Sequence, residues 1–85
     1  MEERMPLHSH TFVETYKGLV GFGMNRETDE NTVVYYLQKF SDDHLMNIMK
    51  HRLSDQELSD LFDRISGLLN KHLSENEYHS LFLKE

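Results

Sequence analysis

Six histidines in an 85-residue chain are the first side chains to test for chemistry, because neutral imidazole is the commonest protein ligand for a metal ion. His8 and His10 lie close to Glu14 and make the candidate metal set, with His72 and His79 as further donors. The other spacings argue against a shared ion. His44 and His51 fall near one meridian of a helix, but seven residues of rise part them by about 10.5 Å, against metal bonds of about 2 Å. Neither His-Glu-x-x-His nor His-x-x-x-His occurs. His72 falls in the last turn of an expected helix, where a cation offsets the negative helix end. The histidines therefore read first as solvated or helix-end groups, and no cofactor is expected.

Other chemistries meet similar objections. Gly18-x-x-Gly21-x-Gly23 has phosphate-cradle spacing, but such cradles follow a strand and open a helix, whereas these glycines close one. The run Leu53–Phe62 suggests the entering helix of a calcium-binding helix–loop–helix. The Asp-x-Asp-x-Asp-Gly loop with its distal glutamate is missing. No serine stands in Gly-x-Ser-x-Gly, and the chain has no cysteine, so no nucleophile is marked. Asp60 and Asp63 sit beside Arg64 on the polar side of a helix and read as solvated. No catalytic residue is assigned.

The charge balance bears on partners. Fifteen acidic residues against nine basic ones give a net charge of −6, a field that repels a phosphate backbone. The basic cluster Lys39, Lys50, His51 and Arg52 gathers at helix C-termini, where the macrodipole favours cations, so nucleic acid is not the expected partner. Without cysteine there is neither a disulfide framework nor a thiolate metal site, and the chain reads as cytoplasmic. No run approaches the roughly 18 apolar residues of a membrane span, and Met1–His10 carries charge where a signal peptide is apolar.

The elements that would position any site follow from periodicity and capping. Residues 1–8 hold the only proline and no pattern, as a flexible terminus does; 9–85 is expected to be a single helical domain. From a cap at Ser9, the positions Phe12, Val13, Tyr16, Leu19 and Val20 predict a first helix. The glycines at 18–23 and Asn25 predict a turn. A second helix, capped by Thr28 or Asp29, places Val33, Val34, Leu37 and Phe40 inward. Val-Val-Tyr-Tyr leaves a strand over 33–40 as the alternative.

One signal then recurs: Phe40-Ser41-Asp42, Leu53-Ser54-Asp55 and Leu73-Ser74-Glu75. Each is an apolar residue, a serine cap and an acid. Ser54 with Glu57 and Ser74 with Glu77 complete capping boxes, while Ser41 has His44 at the third position. Leu45, Leu58 and Tyr78, four beyond each serine, are placed to act as hydrophobic staples. Three more helix starts are thus marked. Leu58, Leu61, Phe62, Ile65, Leu68 and Leu69 form the longest stripe, over about 54–72. The expectation is an all-α compact bundle of four to five short helices with that helix central.

The segments Gly18–Asn31 and Leu73–Phe82 resemble those of a group of short bacterial proteins labelled only as cytoplasmic. The resemblance implies a bacterial cytosolic location and no assigned activity or site residues.

Apolar residues outside the helical stripes remain. Phe22 and Met24 in the glycine loop, and Tyr35, Met46 and Leu83 off the main helical faces, are the candidate interaction residues. Gly67, opposite the long stripe, weakens its helix by about 1 kcal/mol relative to alanine, which close approach of another backbone would explain. The expected function is a non-enzymatic interaction module, self-associating or binding a protein partner. The alternatives are a metal-binding or small enzymatic unit using the N-terminal histidines, and a transcription-associated regulator with a helix-turn-helix across Arg52–Asp55.

Overall fold

A computed structural model describes residues 10–85. His8, the Ser9 cap and the 1–8 terminus lie outside the described residues. The elements are α1 (Phe12–Thr15), α2 (Arg26–Phe40), α3 (Asp43–Arg52), α4 (Asp55–His72) and α5 (Glu75–Glu77), which runs directly into a π-helical segment, Tyr78–Leu83. The protein is all-α, with no strand among the described residues, and α4 is its longest helix at 18 residues. Two units divide the chain after Lys50, inside α3.

In the first unit, α1 is a single turn. Its backbone bends out at Tyr16, which takes an extended ψ of 126°, so Leu19 and Val20 are not helical as the apolar spacing predicts but lie exposed in the loop. The cause is local. The Tyr16 hydroxyl donates to the Leu19 carbonyl at 2.8 Å, and its ring lies on Gly18, where a Cβ would meet ring carbon Cζ at 2.6 Å. Phe12 stacks on Tyr16 with centroids 4.9 Å apart.

The loop then docks on α2. Gly21 N–H donates to Thr32 Oγ1 at 3.0 Å, and the same hydroxyl donates to Gly21 O at 3.1 Å. Gly23, at φ 94°, donates to Asp29 Oδ1 at 2.8 Å. Such a φ suits glycine, which has no Cβ to clash. Helix α2 begins from Asn25, whose Oδ1 accepts from Thr28 N–H at 2.8 Å. The cap is therefore neither Thr28 nor Asp29, because Thr28 supplies the N–H being capped and Asp29 holds the loop.

Residues 33–40 are helix rather than strand, but the helix faces differently from its apolar spacing. Val33, Val34 and Leu37 are exposed, and Thr32, at 5% exposure, is the buried residue among those described. The inward face is Thr32, Tyr35 and Gln38: Tyr35 lies 6.2 Å from the Tyr16 ring, and Gln38 Oε1 accepts from Val13 N–H at 2.9 Å. What packs there is largely backbone, and buried backbone N–H and C=O groups demand hydrogen-bonding partners that valine and leucine lack.

The junction to α3 also departs from the serine pattern. Asp42 Oδ2, not Ser41, accepts from the third amide, Leu45 N–H, at 3.0 Å. Ser41 instead ends α2, donating to Gln38 O at 3.2 Å and meeting His10 Nε2 at 2.6 Å.

The second unit follows the capping signals closely. Ser54 and Ser74 each close a full box: Glu57 N–H and Glu77 N–H donate to the serine hydroxyls at 3.1 Å, and the serine amides donate back to Glu57 and Glu77 carboxylates at 2.9 and 2.8 Å. The stripe of α4 stays open, with Leu58, Leu61, Phe62, Ile65 and Leu68 all exposed. Apolar surface of this extent on one helix lacks the burial that normally stabilises an amphipathic helix.

Candidate interaction surface

The surface in the second unit starts from two local rules. A 3.6-residue period gathers the apolar residues of α4 on one face, and the capping box at Ser74 starts a new helix after the extended Leu73 (ψ 141°). That new helix widens into a π-helical turn, ended by Lys84 in the left-handed region at φ 61°. Glu85 N–H closes the turn on His79 O at 3.0 Å. The end is also tied by His79 Nδ1 to Glu85 Oε1 at 2.8 Å and by Lys84 Nζ donating to Leu81 O at 2.8 Å.

The turn stacks Tyr78 on Phe82, centroids 5.4 Å apart and planes 16° from parallel. Together with Phe62, Ile65, Leu69 and Leu73 these rings bound a groove of about 750 Å³, rimmed by Ser66, Asn70, Ser74 and Glu75. Phe62, on its wall, is 70% exposed. Apolar walls with a sparse polar rim suit a hydrophobic side chain or helix face. The rim contains no histidine and no cysteine, and its Ser74 hydroxyl is occupied by the Glu77 amide.

The candidate metal set is not assembled. His8 lies outside the described residues, His10 turns to Ser41, and Glu14 is exposed on α1. Among the described residues no group of three or more histidine and acidic side chains is placed to hold a metal. The glycine loop is equally unlike a phosphate cradle: the Gly21 and Gly23 amides point to Thr32 and Asp29, and an anion there would face the Asp29 carboxylate. Lys39, from the basic cluster, lies over the Tyr35 ring at 5.7 Å.

The candidate interaction residues divide between the units. Phe22 (72% exposed) and Met24 are open on the loop of the first unit, and Leu83 is open at the end of the π-helical segment. Tyr35 is half-buried beside Tyr16, and Met46 is half-buried on α3. The spacing puts Phe62 in the stripe of the long helix and makes Tyr78 a staple, and it marks no groove between them. The available signal was Tyr78 and Phe82 four residues apart behind a strong cap.

None of the described helices is long and apolar enough to cross a membrane. Compared with known protein families, curated proteins and solved structures, the chain matches none.

Proposed function

We propose that the protein is a non-enzymatic helical interaction module that works by self-association or by binding a protein partner, in the bacterial cytosol. The observation that carries this reading is the open apolar face of α4 continuing into the Phe62–Tyr78–Phe82 groove. Exposed apolar surface rimmed by polar side chains is costly in water and is kept where another surface covers it. The groove's chemistry supports binding rather than turnover, since its lining offers side-chain shape and no activated nucleophile.

The test is untagged full-length protein studied by light scattering across a concentration series, together with mass spectrometry of proteins that co-purify. A defined oligomer or a stoichiometric complex that Phe62→Asp or Leu61→Asp abolishes is expected. A chain that stays monomeric and co-purifies with no specific partner overturns the reading.

A further inference from the structure

The two sides of the α4 face differ. With Ile65 as its middle and about 100° per residue, Phe62 and Leu69 turn toward the groove, while Leu61 and Leu68 turn away from it. Both leucines are exposed. Beyond them, about 80 to 120° from Ile65, run Glu57, Arg64 and Lys71 in a single row. On this edge the acid comes first, Glu57, with Asp60 behind it, and the bases after, Arg64 and Lys71, while Asp55 and Asp63 fall on the groove side and the back of the helix.

That order is self-complementary in one direction only. Two copies laid parallel set acid against acid and base against base. Laid antiparallel about a two-fold axis, the same edge of each helix meets the other, so Glu57 of one copy faces the Lys71 end of its mate. The helix dipoles also oppose favourably. We propose that a second copy of this chain docks antiparallel along the Leu61–Ile65–Leu68 edge of α4, with Glu57 of each copy facing the Lys71 end of the other and Arg64 near the two-fold axis. The inference rests on the interaction-module reading and names its partner. A helix pair about 27 Å long is a small interface, so association in the micromolar range is expected.

The chain has no cysteine, so Gln56→Cys and Gly67→Cys give single spin-label sites in the full-length protein. Both lie on the helix back, and a side chain at Gly67 meets open space. Light scattering should report a dimer. The Gln56–Gln56 distance should be longer than the Gln56–Gly67 distance in mixed samples, because the antiparallel arrangement sends the two Gln56 sites to opposite ends of the pair while Gly67 stays near its centre. A parallel pair reverses that ranking, with the mixed labels offset by about 16 Å along the axis, and overturns the proposal. Lys71→Glu, which sets like charges together at both ends of the pair, should weaken dimerisation by about tenfold or more with helix content unchanged by circular dichroism; unchanged association overturns it. A monomer that still forms a stoichiometric complex with another protein, lost in Leu61→Asp, overturns the second copy as occupant and leaves the module reading standing. A monomer with no complex overturns both.

Discussion

Thr32 and Gly21 exchange two hydrogen bonds across eleven residues of chain: the Gly21 amide donates to the Thr32 hydroxyl at 3.0 Å, and that hydroxyl donates to the Gly21 carbonyl at 3.1 Å. One side chain thereby satisfies both polar groups of a glycine and holds the loop on α2. Thr32→Val keeps the shape but leaves both groups unpaired. It should destabilise the first unit by about 1–3 kcal/mol, while Thr32→Ser, which keeps the hydroxyl, should lose distinctly less. Denaturant unfolding gives the cost. Hydrogen exchange at the Gly21 amide checks the cause, with fast exchange expected in Thr32→Val alone.

The caps make a second prediction. Asp42 holds the third amide of α3, whereas Ser41 terminates α2. Asp42→Ala should therefore cost about 1 kcal/mol and Ser54→Ala about as much. Ser41→Ala removes only exposed contacts and should stay within about 0.5 kcal/mol of the parent. Equal losses at Ser41 and Asp42 in thermal or denaturant unfolding would contradict the assignment.

The helices themselves were legible because their signals are local. A serine with a glutamate three residues on specifies two reciprocal bonds regardless of what packs nearby, and both boxes, at Ser54 and Ser74, form as their residues imply. The facing of α2 was not legible. Apolar periodicity points to Val33 and Leu37, but the loop that covers the helix presents amides and carbonyls, so Thr32 and Gln38 turn inward. Periodicity reads the burial a helix would gain against an apolar neighbour and carries no information about a polar one. The groove was hidden for a related reason: Tyr78 and Phe82 four apart behind a strong cap mark an aromatic pair, but spacing does not distinguish a face that is covered from one left open.

Two glycines should respond oppositely to alanine. Gly23 sits at φ 94°, where a Cβ is strained, so Gly23→Ala should lose about 1 kcal/mol. Gly67 lies within α4 and a Cβ there meets nothing within 4 Å. Gly67→Ala should thus gain about 1 kcal/mol from helix propensity. Because Gly67 lies on the back of α4, the same substitution should leave self-association unchanged by light scattering. A large loss of association would move the contact to the Gly67 face.

Phe62 gives the sharpest separation between folding and binding. A buried phenylalanine cut to alanine costs about 3–5 kcal/mol through lost transfer energy and the cavity left behind. Phe62 is 70% exposed, so its ring has little burial to lose in the isolated chain. In dilute solution Phe62→Ala should change unfolding free energy by no more than about 0.5 kcal/mol. At concentrations where the chain is associated, the parent should gain stability by mass action, and a variant impaired in association should gain less. Denaturant midpoints for both proteins, compared across protein concentration, read the two effects separately. Curves offset by several kcal/mol even at the lowest concentration would mean that Phe62 is a core residue rather than part of an open docking surface.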